Sequence, residues 1–368
     1  MNLSQKLDSL TVPAELYEKL NNNALRCFAC GHRCLIREGK RGICQVRFND
    51  GGELRVPFGY VAALQADPIE KKPFYHFLAG ENALSFGMLG CDLHCDYCQN
   101  WFTSQALRDP ASESAGRLVR EVSAKDLVAL AQQTNSKIIA STYNEPLITS
   151  EWAVAVFKEA KKANLKTVMV SNGHATPEAL AYLAPHLDGY KIDLKSMQEQ
   201  NYRQLGGTLQ HVLDSIVRAK ELGLWVEVVT LVVPGFNDSN AELWEAARFL
   251  ASVSPDIPWH VTAYHPDYKM TENENTPLDT LMRAADMGRE AGLHYVYAGN
   301  VHGRAGEYES TLCPNCQRAL IKRFGFSLQD YQLTNGGKCP HCGAAVAGVW
   351  AENPASVPLN GWGMPRVI

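Results

Sequence analysis

Seven short apolar runs between residues 83 and 299 constrain this chain more than any other feature. They read ALSFGML (83–89), KIIASTY (137–143), KTVMV (166–170), GYKIDL (189–194), LWVEVVTLVV (224–233), WHVTAY (259–264) and HYVYAG (294–299). Several are apolar almost throughout, the pattern of parallel strands covered on both faces. Helical patterns lie between them. In EWAVAVFKEAKKA, Ala153, Val156, Phe157 and Ala160 recur at helical spacing with Lys and Glu opposite. HVLDSIVRAKELG carries a second stripe and ends at Gly223, a residue suited to a helix C-terminus. Successive strands start roughly 20 to 55 residues apart, the interval of strand–helix units. The expectation is a parallel (β/α) barrel or partial barrel. A doubly wound open sheet is the alternative that periodicity does not separate from it.

With 368 residues the chain is long enough for a large core and more than one structural unit. A net charge of −4 argues against wholesale binding to nucleic acid or anionic membranes. No uninterrupted apolar run reaches the ~18 residues of a membrane span. The opening MNLSQKLDSLTVPAELYEKL has no apolar core of the signal-peptide kind and its spacing reads as an amphipathic helix. A cytoplasmic location is the resulting expectation.

The 11 cysteines fall into three groups with none left over. Cys27, Cys30, Cys34 and Cys44 come first, Cys91, Cys95 and Cys98 follow, and Cys313, Cys316, Cys339 and Cys342 close the chain. Disulfide cysteines would scatter and pair, whereas groups of four, three and four suit metals in a reducing compartment. The middle group is one short of a closed tetrahedral zinc site. A cubane iron–sulfur cluster has four irons, so three thiolates leave one iron open to a small molecule. His94 completing a zinc site, or thiols with no shared role, are the bland readings.

Cys91-x3-Cys95-x2-Cys98, with Tyr97 before the last cysteine, resembles the radical S-adenosylmethionine (SAM) signature. The resemblance implies a [4Fe–4S] cluster whose open iron is chelated by SAM. One electron then cleaves SAM to methionine and a 5′-deoxyadenosyl radical, which abstracts hydrogen from a substrate. It sets Tyr97 near the adenine, with a plain core aromatic as the alternative. Active-site residues of such barrels follow the strands. In Tyr143-Asn144-Glu145-Pro146 the resemblance assigns Glu145 to the SAM ammonium and Asn144 to a further polar contact; a helix start with Pro146 is the bland reading. Ser171-Asn172-Gly173 is assigned to the SAM ribose and carboxylate, or else is an N-cap and turn. Asp193 and Lys195 meet SAM or substrate, or pair with each other. Pro234-Gly235-Phe236-Asn237-Asp238 reads as a turn. His260 and Tyr264 share a strand face while His265 lies opposite or in the next loop, each a substrate contact or a structural side chain.

Beyond the signature, RCFACGHRCLIREGKRGICQVR, DPIEKKPFYHFLAG, VSNGH, YKIDLK, VPGFND, HPDYKM and YVYAGNVHG together resemble the AmmeMemoRadiSam system radical SAM enzymes, similar in turn to pyruvate formate-lyase activating enzymes. The resemblance spans residues 25 to 346 and implies a radical SAM partial (β/α)6-type TIM-like barrel. It also implies reduced flavodoxin or ferredoxin as electron donor and AMMECR-type and Memo-type proteins as partners. Glycyl-radical activating enzymes often insert a cysteine-rich ferredoxin-like segment after the signature, and here no cysteine occurs between Cys98 and Cys313. A small-molecule substrate therefore stands beside a protein one.

Cys313-x2-Cys316 and Cys339-x2-Cys342, 22 residues apart, form the two knuckles of a zinc ribbon. Its four basic residues against one acidic are too few to argue nucleic-acid binding. The N-terminal quartet suits structural zinc or an auxiliary iron–sulfur cluster that relays electrons, with His32 as an alternative ligand and a slight lean towards zinc. The basic residues around it suit an acidic electron donor or a solvated face. The expected division is 1–75 helical and cysteine-rich, 76–305 radical SAM core, and 306–368 zinc-ribbon-like domain and tail. Two rivals are carried: a glycyl-radical enzyme activase, and a non-catalytic zinc protein binding RNA or protein partners.

Overall fold

The computed structural model describes residues 3–301, 303–361 and 366–367; His302, in the YVYAGNVHG stretch, lies outside them. The apolar runs become strands of one nine-stranded sheet: β1 (Ala63–Pro68), β2 (Asn82–Gly87), β3 (Ser136–Ser141), β4 (Lys166–Ser171), β5 (Gly189–Asp193), β6 (Trp225–Val232), β7 (Trp259–Ala263), β8 (Val296–Gly299) and β9 (Arg366–Val367). From β2 to β8 every pairing is parallel and neighbours follow chain order. A doubly wound sheet reverses its order at a switch point. This one never does, so each crossover steps the same way and the sheet curls into a partial barrel. Six strand–helix units are followed by a seventh parallel strand. β1 pairs antiparallel with β2, and β9 antiparallel with β1. Thus β1, from the stretch 1–75, is hydrogen-bonded into the main sheet.

The crossovers carry α1 (Ala124–Gln133), α2 (Ser150–Lys162), α3 (Pro177–Leu183), α4 (Leu209–Glu221), α5 (Asn240–Val253) and α6 (Leu278–Glu290). On α2 the expected stripe of Ala153, Val156, Phe157 and Ala160 is buried, together with Trp152. It packs with Leu84, Ile139 and Met169 of the strands in one continuous core. Among the described residues no helix is long and apolar enough to cross a membrane.

The opening segment is not one amphipathic helix. Helix covers only Leu3–Asp8. Thr11–Pro13 then pairs with Glu53–Pro57, and Tyr17–Lys19 pairs with Leu25–Cys27. Pro13 interrupts helical hydrogen bonding. Beyond it, Ala14 and Leu16 join a small core with Leu25, Ile36, Leu54 and Val56.

The C-terminal cysteines close a three-stranded sheet, Thr311–Leu312, Ala319–Phe324 and Ser327–Tyr331. Its apolar cluster includes Tyr75, Tyr295 and Tyr297, which lie where β8 begins. The tail therefore caps the end of the sheet from which the strands start. The N-terminal cysteines lie at the opposite end.

Candidate active site

The loop bearing Cys91, Cys95 and Cys98 follows β2. Gly90 enters it with φ near 100°, and a Cβ there would meet Val46 at 2.9 Å, so glycine fits where larger residues are strained. Cys98 N–H donates to Cys95 O at 3.2 Å, Leu93 N–H to Cys91 Sγ at 3.3 Å, and Ser104 Oγ lies 3.2 Å from Cys98 Sγ. His94, the alternative zinc ligand, is exposed and turned against Gly206, away from the thiols.

The three thiols line a cavity of about 110 Å³ together with Asn144, Glu145, Ser171, Asn172, Asp193 and Lys195. These polar residues stand at or just past the ends of β3, β4 and β5. Every residue assigned from the sequence to this site is in the wall except Tyr97. That ring is buried behind the loop against Phe236, at 5.7 Å, among Leu93, Leu205, Val233 and Tyr264.

Glu145 is the polar centre. It caps the turn starting at Pro146 by accepting Leu147 N–H at 3.0 Å, the bland role, and it also accepts Ser171 Oγ–H and Asn172 N–H, each at 2.7 Å. Burial, reinforced by the nearby charge of Asp92, pushes its carboxyl up to about 8 despite those donors. Asn144 Oδ1 accepts Met88 N–H at 2.9 Å, clipping the β2 and β3 ends together. Between them and β3, Tyr143 holds φ near 70°, a left-handed backbone that costs a non-glycine residue about 1–3 kcal/mol. Gly173, at φ 73°, has no room for a Cβ, which would meet Ile192 at 2.4 Å.

Asp193 accepts from both Lys191 and Lys195, the latter at 3.3 Å. Burial opposes its charge, but the two ammonium groups hold it below the usual carboxylate range. The internal ion pair exists and still lines the cavity. His260 is buried 2.7 Å from Glu227 and stacked on Tyr297, a structural setting. Tyr264 is buried with its hydroxyl on Met270 O, while exposed His265 lies 3.0 Å from Gln99.

Three groups were missed. Asp92, between the first two cysteines, bonds His174 Nδ1 at 2.9 Å and Asn172 Nδ2 at 2.7 Å. Lys191 had a signal, since residues two apart on a strand share a face with Asp193 and Lys195. Lys72 Nζ, 3.0 Å from the Tyr143 hydroxyl and paired with Asp67, comes from the DPIEKKPFYHFLAG stretch, whose place beside the site no local spacing gives.

The site suits a cluster chemically. Burial pushes the bare thiols up, Cys95 to about 12, so their thiolate forms depend on a metal's positive charge. Glu145 is a buried carboxyl whose partners at hydrogen-bond distance are neutral donors. A larger cavity of about 360 Å³ lies at the tail junction, and its walls carry no thiol or carboxylate.

The C-terminal quartet is gathered tightly. Cys313 and Cys342 sulfurs are 3.5 Å apart, Cys316 and Cys339 3.7 Å, and all four lie within 4.8 Å of one another. With Zn–S about 2.3 Å, a tetrahedral zinc holds its sulfurs about 3.8 Å apart.

Comparison with known proteins agrees with this geometry. Residues 87–250 match the family model of the radical SAM superfamily. The "uncharacterized protein MJ0808" of Methanocaldococcus jannaschii is 37% identical over 336 residues, covering 90% of this chain and 98% of its own length. An isethionate sulfite-lyase activating enzyme of Desulfovibrio desulfuricans is 29% identical over 124 residues, 33% of this chain and only 39% of that enzyme. A domain of pyruvate-formate lyase-activating enzyme from Bacteroides vulgatus aligns over 44% of this chain and 98% of its own, with 19% identity and a TM-score of 0.39.

Proposed function

This chain belongs to the radical SAM superfamily, enzymes that work with a [4Fe–4S] cluster and SAM, and we propose that the strand-end cavity holds both. One observation carries the reading: three thiols and six polar residues from separate strand ends line a single cavity. Cys91, Cys95 and Cys98 hold three corners of the cluster. A [4Fe–4S] cluster held there would supply one-electron reduction of SAM. Glu145 receives the SAM ammonium, and Ser171 and Asn172 fix that carboxylate by donating to it. Asn144 locks the loop, while Asp193 and Lys195 present a charge pair to the rest of SAM or to the substrate. Tyr97 buttresses the loop from behind.

The electron donor is a reduced flavodoxin or ferredoxin, the setting cytoplasmic and the work oxygen-sensitive. The substrate is a small molecule or a protein, with AMMECR-type and Memo-type proteins as candidate partners. The division into 1–75, 76–305 and 306–368 belongs to the same reading. Similarity to the isethionate sulfite-lyase activating enzyme favours a second reading, activation of a glycyl-radical enzyme. The cysteine-free stretch from 99 to 312 weighs against it.

The test is anaerobic reconstitution with iron and sulfide, then SAM and a reductant, followed by chromatography for 5′-deoxyadenosine. Its formation by the native chain and loss in C91A supports the reading. An intact cluster that releases none overturns it. Deuterium transfer from labelled candidates into 5′-deoxyadenosine then separates small-molecule from protein substrates.

A further inference from the structure

We propose that Cys27, Cys30, Cys34 and Cys44 hold a second [4Fe–4S] cluster, which passes single electrons to the one at Cys91, Cys95 and Cys98. The inference rests on the radical SAM reading for its destination, while its own site stands on separate residues.

Sulfur spacing is the first argument. The C-terminal quartet has the close packing of thiols around one ion. Among the described residues the N-terminal thiols are not drawn together to that spacing, and neither are Cys91, Cys95 and Cys98. Thiolates that grip different irons of a cubane stand farther apart than thiolates sharing one ion. The four are neighbours all the same: Cys27 N–H donates to Cys34 O at 3.0 Å, Arg33 N–H to Cys30 O at 3.1 Å, and Ile43 N–H, next to Cys44, to Cys34 Sγ at 3.5 Å.

Position is the second. Cys30 Sγ, an Asp92 carboxylate oxygen and a His174 ring nitrogen lie within 4.8 Å of one another. Asp92 is also the neighbour of Cys91, with Oδ1 3.9 Å from that sulfur. One carboxylate thus reaches from the quartet to the triad. Arg108 ties the two loops, donating to Leu93 O at 2.7 Å and Ile43 O at 2.6 Å. A zinc staple gains nothing from lying against a redox centre, whereas electron transfer requires it.

The third is an orphaned ring nitrogen. His174 Nε2 is buried and has no hydrogen-bond partner among the described residues. It is aimed at Gly31, where a Cβ would meet it at 2.6 Å. That unpaired nitrogen faces the loop carrying Cys30, where a group bound by the quartet would meet it. On the outer side, Leu35 and Ile43 are 54% and 45% exposed beside Cys34 and Cys44, with Arg37, Glu38 and Lys40 also exposed, two cations to one anion. That surface suits an acidic one-electron carrier of the flavodoxin class. One electron from the carrier reduces the quartet's cluster, and its transfer to the catalytic cluster restores the oxidised relay.

The test uses the full chain carrying C91A, C95A and C98A, reconstituted anaerobically with iron and sulfide. It should retain about four irons with a reducible paramagnetic signal, against about eight in the native chain, and one zinc at the tail as the gauge of folding. Adding C30A and C44A should remove that iron. Mixing the triad variant with reduced flavodoxin should bleach the cluster's absorbance. Two zincs and no iron in the triad variant, or the tail zinc alone, overturns the site. No bleaching by flavodoxin overturns the relay. If the native chain makes 5′-deoxyadenosine while the triad variant holds no iron, only this inference falls. If the triad variant keeps its iron while the native chain makes none, the catalytic reading falls, and with it the relay's destination, while the quartet's site stands.

Discussion

The two cysteine quartets have the same inventory and opposite surroundings. The C-terminal four sit in a tail whose apolar cluster borrows Tyr75, Tyr295 and Tyr297 from the barrel, at the end where the strands start. The N-terminal four sit where the strands finish, against the triad loop, through Asp92 and Arg108. The difference teaches that a count of four cysteines does not fix a metal's role. What the sulfurs touch differs: an apolar cluster in the tail, the triad loop at the other end.

The largest effect that tests this contrast is removal of the tail's metal. Structural zinc contributes on the order of 10 kcal/mol to such modules. C339S should therefore lose one zinc and open residues 311–346 to limited proteolysis, while the iron at the other end is retained. Parallel loss of iron would break the contrast.

The next effect is acid. Burial keeps His76 neutral and lowers it to about 4, although Glu227 pulls the other way. Its Nδ1 lies 2.6 Å from Ala347 O of the tail, and its Nε2 2.6 Å from the Tyr297 hydroxyl. With the folded value below the ordinary 6.5, the stabilisation is complete above that pH and is lost as pH falls from 6.5 through 4. The full loss is about 3 kcal/mol. Melting temperature across that window should drop, more steeply in the native chain than in H76Q.

At the opposite end the sign reverses. Glu145 is raised to about 8, so folding takes up a proton there, and its ionisation costs stability as pH climbs from 4.5 through 8. An ammonium in the cavity favours the ionised form. SAM binding measured calorimetrically near pH 7 should release a proton and tighten as pH rises, by at most about tenfold per unit. E145Q should weaken SAM by about 10- to 100-fold and abolish the proton release.

The smallest effect concerns the bridge between the two cysteine loops. R108Q removes a guanidinium bonded to both, at a cost of about 1–2 kcal/mol. Denaturant melts should register it while the tail's zinc content stays constant.

The strands were legible because a buried parallel strand must be apolar on both faces, and the observed bounds differ from the apolar runs by only one or two residues. The triad and the strand-end polar residues were legible because local motifs carry them. Long-range meetings were not. Asp92 reaching His174, or Lys72 reaching Tyr143, depends on how segments 70 or 80 residues apart are brought together. The opening helix failed for a similar reason: Thr11–Pro13 and Tyr17–Lys19 become short strands because their partners lie later in the chain. Tyr97 shows the reverse, a motif aromatic whose ring faces the core behind its loop.

Glu151 on α2 is almost wholly buried, and its carboxylate bonds Arg47 and the backbone amides of Glu15 and Leu16. Arg47 also donates to Ile148 O at 2.8 Å. A shortened chain lacking its first 75 residues would leave that anion stranded in an apolar wall, a penalty of several kcal/mol. Anyone trimming this enzyme to a minimal catalytic fragment should expect inclusion bodies, and the leading segment is best kept as a foundation laid into the barrel.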